Sequence, residues 1–345
     1  MGNTFNKKFE LLKMPPSRYL RRYKGMLDSV QEISVLSLGV SCGLFDRLQK
    51  VQGAEELARA NGWNEIVAAR LLQCMQAYGF IKKAKNGYQN NAFAAYFAAE
   101  GSPYSQTRSL QLFNSGNDLN KRIIYALLNG PPRERPPITD VFNSQVLLGM
   151  AEHCVRGGVQ QTIALLNKLN KIKAAKKMLD LGGGHALYSI GLTFSNPGLA
   201  STIFDLPEVV EKASKAVVKS HGAERIGFIA GDFMTDDLGD GYDFVLCSDV
   251  LHRTKEEILS LLAKIHRAMA KGGILAVKET HLDSLQKNRF ASYFALVLSS
   301  FDTEQRVFPS KEFQSLIERA GFKVRQSFAV DAASDSSRLT IAERI

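Results

Sequence analysis

Four acids and a histidine, each closing an apolar run, are the residues of this chain best placed to do chemistry: Asp180, Asp205, Asp232, His252 and Glu279. Asp180 lies in Met178-Leu-Asp-Leu-Gly-Gly-Gly184, which reads as a short buried strand breaking into a glycine turn, with a helix-like run from Ala186 to Thr193 behind it. Consecutive glycines after a strand let the backbone turn sharply and approach a ligand where a Cβ would clash. A carboxylate beside such a turn repels a phosphate and suits a cationic amino-acid end. The dinucleotide pattern G-x-G-x-x-G also fails at its last position, where Leu187 stands. The turn therefore points to a nucleoside cofactor without phosphates, for which S-adenosylmethionine is the candidate. A purely structural glycine turn is the alternative at this point.

The segments that follow decide between them. Residues 201–205 form a second apolar strand ending in Asp205, followed by Leu206 and Pro207. An acid about 20 residues past a glycine turn is placed to accept hydrogen bonds from ribose hydroxyls, a need common to NAD and S-adenosylmethionine. Gly227–Phe233 is a third strand; its Asp232 and Phe233 can take an adenine amino group and pack on the ring. Residues 242–252 make a fourth, whose carboxyl end delivers Ser248, Asp249 and His252. A helix over 255–270, the pair Gly272-Gly273 and a strand over 274–279 ending in Glu279 complete the pattern. Strands alternating with helices predict an open α/β sheet, and ligands of such sheets sit beyond the carboxyl ends of the strands. Aspartates also cap helices and turns, but acids at successive strand ends fit a cofactor site better.

Residues 178–345 resemble the catalytic domain of class I S-adenosylmethionine-dependent methyltransferases. With what precedes them they resemble the small-molecule O-methyltransferase family typified by plant caffeate and isoflavone enzymes and bacterial phenazine and polyketide enzymes. The family's Asp-x-Gly-Gly-Gly-x-Gly is present with Ala186 at its last position. Its Asp-Leu-Pro and Gly-Asp-Phe stand as Asp205-Leu206-Pro207 and Gly231-Asp232-Phe233. The resemblance implies a Rossmann-like domain with a mostly parallel seven-stranded sheet over 172–345, preceded by a helical winged-helix dimerisation domain over 1–128. Between them, 129–171 would form a linker and bridging helices. It implies S-adenosylmethionine held by Asp180, Gly182, Gly183, Gly184, Asp205, Leu206, Asp232, Phe233 and Ser248. It further implies a small-molecule acceptor facing Phe142, Met150 and His153, and no metal.

Methyl transfer from a sulfonium is an in-line displacement, so the protein must align donor and acceptor and, for a hydroxyl, remove a proton. A histidine suits that task because its ordinary pKa lies near working pH. His252 matches the family's general base and Glu279 the glutamate that orients it. The Asp-Trp that usually follows the histidine is replaced by Arg253-Thr254. The family's second flanking glutamate is not clearly kept; Gln305-Arg306-Val307, with Glu304 adjacent, is the nearest match. The reading is therefore methylation of a small aromatic hydroxyl. Its alternatives are C- or N-methylation by proximity alone, or a cofactor-sensing or DNA-binding regulator without turnover.

The N-terminal region supports part of that alternative and resists the rest. Helical spacing over 30–50, a helix opening at Glu55, a turn at Gly62-Trp63-Asn64, a helix from Ile66 to Tyr78 and an Asn86-Gly87 hairpin signal make a winged-helix order. Residues 1–140 hold 19 of the 44 Lys and Arg but 11 of the 34 Asp and Glu, so most of the net charge of +10 lies here. A basic patch can attract nucleic acid or an acidic substrate. Yet the would-be recognition helix offers only Arg70 among apolar residues, too few polar groups to read base edges. A homodimer through this domain is the better expectation, and nucleic acid is not expected. The segment 129–137 holds four of the ten prolines and reads as a stiff connection, with a helix-like run over 141–171 bridging onward.

At 345 residues the chain suits two domains, and 45% apolar with 23% charged residues is ordinary for a globular protein. Charges break every apolar run before membrane-spanning length, and Lys7, Lys8, Glu10 and Lys13 interrupt any signal-peptide core. The four cysteines form no close pair, which excludes a zinc knuckle or redox dithiol and predicts buried thiols in a cytoplasmic protein.

Overall fold

The computed structural model describes residues 17–114, 116–131, 144–221, 224–283, 289–301, 307–330 and 337–345. The chain divides into two compact units, Met1–Thr107 and Arg108–Ile345.

In the first unit a long helix α1 (Ser17–Ser41) is followed by α2 (Leu44–Arg47), α3 (Ala54–Ala60), α4 (Glu65–Ala77), the antiparallel pair β1 (Ile81–Ala84) and β2 (Gly87–Asn90), and α5 (Ala92–Phe97). The side chain of Asn64 caps α4 by accepting from Val67 N–H, as an N-cap asparagine should. The hairpin turns at Lys85-Asn86, one residue before the expected Asn-Gly step. Gly87 pairs with Ala84 instead, and its φ of 155° is matched to a tight spot: a Cβ there would come within 2.0 Å of Gln52 carbonyl oxygen. The bridge from Gln52 to Tyr88 thus requires a glycine at this position.

The second unit opens with α6 (Thr107–Asn114), α7 (Gly116–Asn129), α8 (Ser144–Cys154), α9 (Gly158–Leu166) and α10 (Asn170–Ala174). The helical run expected over 141–171 is therefore broken. Gly157, at φ 134°, takes a conformation closed to other residues and ends one helix so that the next can start. Then come β3 (Lys177–Leu181), α11 (Leu187–Ser195), β4 (Ala200–Asp205), and α12 (Pro207–Val209) running through a π-helical turn, Val210–Ser214, into α13 (Lys215–Ser220). The order continues with β5 (Ile226–Ala230), β6 (Tyr242–Ser248), α14 (Lys255–Ala268), β7 (Met269–Thr280), α15 (Arg289–Ser299), α16 (Ser310–Arg319), β8 (Phe322–Val330) and β9 (Ser337–Arg344).

These strands form one seven-stranded sheet in the order β5-β4-β3-β6-β7-β9-β8, parallel except for β9, which runs antiparallel to both neighbours. Period-two alternation splits its side chains between two cores. Leu179, Leu181, Val245 and Cys247 face α14 and α16, whereas Met178, Phe244 and Leu246 face α9 and α11. Two boundaries differ from expectation. Strand β6 ends at Ser248 rather than reaching 252, because Asp249 adopts φ 56° and turns the chain. Strand β7 begins at Met269, ahead of Gly272-Gly273, with a register irregularity opposite Tyr242/Phe244. Of the four cysteines only Cys247 is fully buried; Cys42, Cys74 and Cys154 are half-buried, and all are free thiols. Among the described residues no helix is long and apolar enough to cross a membrane.

Candidate active site

Strand order reverses between β3 and β6, and the site is built where their carboxyl ends diverge, as in other open α/β sheets. On the β3 side the turn is fixed by packing. Gly182 has φ 66° and donates its N–H to Phe204 carbonyl at 2.8 Å; a Cβ on it would meet Val250 Cγ1 at 2.4 Å. Gly183 is equally closed, its Cβ position lying 2.9 Å from Ile203 and 3.0 Å from Asp180. Gly184 differs: with φ 46°, its Cβ position meets Gly182 carbonyl oxygen and Leu147 Cδ2 only at an ordinary contact distance of 3.8 Å. Ala186 then holds φ 66° as the residue before α11, the left-handed state that the glycine of the related motif would adopt without strain.

The acids divide by environment. Asp180 is buried beneath the turn and accepts from Ser189 hydroxyl at 2.6 Å; burial pushes its carboxyl up to about 6. Asp205, at the end of β4, accepts from Gly184 N–H and Leu206 N–H, both at 2.8 Å, and burial raises its pKa. Leu206 packs with Leu147 of α8 and Val209. Asp232 is exposed and engaged in its own turn, accepting from Met234 N–H. Phe233 beside it is half-buried near the Gly182 position, with the Arg253 guanidinium 5.5 Å above its ring.

On the β6 side the loop after Ser248 carries the histidine. Glu279 Oε1 accepts from Val250 and Leu251 N–H at 3.0 and 2.9 Å, which fixes that loop onto β7. Its other oxygen lies 3.2 Å from His252 Nε2, which makes no hydrogen bond among the described residues. Burial lowers the His252 imidazole to about 4, opposed by the nearby Asp249 carboxylate, so the ring is neutral at physiological pH. Burial and then Asp249 raise the Glu279 carboxyl well above its ordinary range. Ser248 hydroxyl donates to Asp249 Oδ2 at 3.3 Å, and Lys278 Nζ donates to the same oxygen at 2.7 Å.

One wall of the site was not legible in the sequence. Phe294 of α15 meets the His252 ring edge-on at 5.0 Å between centroids and stacks on Phe290 at 5.8 Å. Phe290 in turn stacks on His153 of α8 at 6.5 Å. His153 therefore joins His252 through two phenyl rings, and Met150 stands exposed on the same helix. Phe142 lies outside the described residues, as do Glu304, Gln305 and Arg306. Two further histidines are buried near the site: His185 accepts from Leu187 N–H at 3.2 Å, and His281 bonds Phe308 carbonyl at 3.1 Å.

The donor set fits a nucleoside methyl donor: Asp205 has filled only one lone-pair site on each oxygen, leaving two for ribose hydroxyls.

Comparison with known proteins agrees. Residues 139–323, more than half the chain, match the model of the O-methyltransferase domain family, and the chain belongs to this family of S-adenosylmethionine-dependent methyltransferases. Acetylserotonin O-methyltransferase of Rattus norvegicus is 26% identical over 310 residues, spanning 84% of this chain and 69% of the relative. Among solved structures, an O-methyltransferase family protein from Burkholderia thailandensis superposes with a TM-score of 0.77 at 19% identity, covering 96% of this chain and 99% of that one. Human N-acetylserotonin methyltransferase in complex with S-adenosylmethionine gives 0.74 at 21% identity, covering 96% and 99%. The expected enzyme class, fold and cofactor are thereby established.

Proposed function

We propose that this enzyme methylates the hydroxyl of a small aromatic acceptor, with His252 as general base. The observation that carries this reading is the His252 ring, buried and neutral, set against Glu279 on one side and the Phe294–Phe290–His153 row on the other. When bound, S-adenosylmethionine supplies an electrophilic methyl on a sulfonium. The residues assigned to hold it are Asp180, Gly182, Gly183, Gly184, Asp205, Leu206, Asp232, Phe233 and Ser248. Asp205 binds the ribose, Asp232 and Phe233 the adenine, and the glycine turn the amino-acid end.

The phenyl rings orient a planar acceptor by offset or edge contacts. Holding its oxygen in line with the methyl supplies most of the rate, since positioning replaces a bimolecular encounter. His252 accepts the hydroxyl proton as the oxygen attacks, and a neighbouring carboxylate stabilises the imidazolium. In His252→Ala, turnover on a panel of phenols falls by about 10²- to 10⁴-fold, the usual contribution of a general base, while calorimetry shows S-adenosylhomocysteine binding unchanged. Near-wild-type turnover in that variant would favour transfer by proximity alone.

The N-terminal unit is read as a winged-helix-like dimerisation module. Helix α1 exposes Tyr19, Tyr23, Met26, Leu27, Val30 and Ile33 along one stripe, an apolar face that a second copy would cover. The exposed start of α4 carries Ile66 and Val67, which speaks against base-edge recognition. Free thiols support a cytoplasmic setting.

A further inference from the structure

The charge beside His252 has two possible owners, Glu279 and Asp249. One nitrogen or carboxylate oxygen from each of Asp249, His252 and Glu279 lies within 4.8 Å of the others. The two carboxylates are held very differently. Glu279 is almost wholly buried, and its Oε1 is consumed by two backbone N–H groups. Asp249 keeps a third of its side chain exposed and is gripped by Lys278, whose own side chain is 4% exposed. The strand register makes this grip: Ser248 pairs with Lys278, and Asp249 N–H donates to Lys278 carbonyl at 2.9 Å. Residues 278 and 279 then point to opposite faces of the sheet. The left-handed turn at Asp249 places its carboxylate at the strand tip, where Lys278 from one face and Glu279 with His252 from the other converge on it. Aspartate tolerates that backbone better than most residues, so the turn and the charge are supplied by one side chain.

We propose that Asp249, pinned by Lys278, is a positioning residue that supplies the standing negative charge beside His252, while Glu279 serves chiefly to tie the loop to β7. This deepens the reading of His252 as base and rests on it. Burial disfavours the Asp249 carboxylate, but the Lys278 ammonium overrides burial and keeps it below the usual carboxylate range; Glu279 moves the other way. The groups facing the imidazole are Asp249 and Arg253 from its own loop, Lys278 and Glu279 from β7, His281 beyond it and the Phe294 ring from α15.

The test is NMR titration of the His252 imidazole in full-length protein saturated with S-adenosylhomocysteine, which needs no acceptor. Lys278→Met removes a cation and raises the midpoint by about one unit, the scale of one close charge. Adding Asp249→Asn to that variant returns the midpoint to or below the wild-type value. The double variant replaces a buried ion pair by neutral groups, a change that proteins commonly tolerate, and asparagine suits the left-handed backbone equally well. Glu279→Gln moves the midpoint less than Asp249→Asn does. The proposal is overturned if Asp249→Asn leaves the Lys278→Met midpoint in place, or if Glu279→Gln produces the larger fall. An active His252→Ala would remove the base assignment without touching these midpoints, so the two failures are distinguishable.

Discussion

Burial holds His185 and His252 neutral, each with a pKa lowered to about 4 from an ordinary 6.5. The unfolded chain binds protons at both positions as the pH falls through 6.5, whereas the folded protein resists until about 4. Stability is therefore full above pH 6.5 and drains away across that window, by up to about 1.4 kcal/mol per pH unit for each ring. Asparagine at 185 can present its carbonyl oxygen to Leu187 N–H in place of Nδ1. His185→Asn accordingly flattens the fall in unfolding free energy between pH 6 and 4.5 by roughly one proton's worth, measured by urea titration at each pH. An unchanged slope would mean that His185 titrates normally. Strand, glycine turn and Asp180 stand together in the sequence, and Asp205 was marked only by closing the next apolar run, since its contact with Gly184 spans 21 residues. Lys278 was not legible there, since its partner Asp249 is 29 residues away and only the β6–β7 register brings them together.

At the scale of elements, two features carry consequences. Ala186 precedes α11 in a left-handed conformation that costs a residue with a Cβ about 1–2 kcal/mol. Part of that is offset by the greater unfolded freedom of glycine. Ala186→Gly should therefore stabilise the enzyme, raising the melting temperature by about 2 °C without loss of cofactor affinity; a lower melting temperature would show that the methyl group's packing outweighs the strain. Helix α15 is the second. Its Phe290 and Phe294 stand four residues apart, a spacing that in sequence reads as an ordinary amphipathic core helix. Only the three-dimensional stack on His252 and His153 sets them beside the proposed base. Phe294→Ala raises the KM for a phenolic acceptor by about tenfold, as expected for loss of an aromatic contact plus its buried area. The affinity for S-adenosylhomocysteine stays unchanged, and equal losses for both ligands would place Phe294 in general scaffolding instead.

For the whole molecule, the α1 stripe is the feature to challenge. Val30 stands 64% exposed near its middle, so Val30→Asp puts a charge where a partner helix would pack. Light scattering after size exclusion should then report monomer mass for the variant and dimer mass for the parent, with helical content equal. Identical masses would move the interface elsewhere. The helices and the β1–β2 hairpin of the first unit were readable from turn and hairpin signals, but the division at Thr107 was not, because no composition change marks it.

The placement of β9 has a consequence for how the enzyme is made. Strand β7, which carries Lys278 and Glu279, lies between β6 and β9, and β9 follows it by more than fifty residues of chain. Until residues 337–344 have left the ribosome, β7 presents Ile274, Leu275, Ala276 and Val277 along an unpaired edge, the kind of surface that recruits other strands. Translation stalled or cut short after β8 would thus leave an aggregation-prone nascent chain whose central strand β7 is still open to the wrong neighbour.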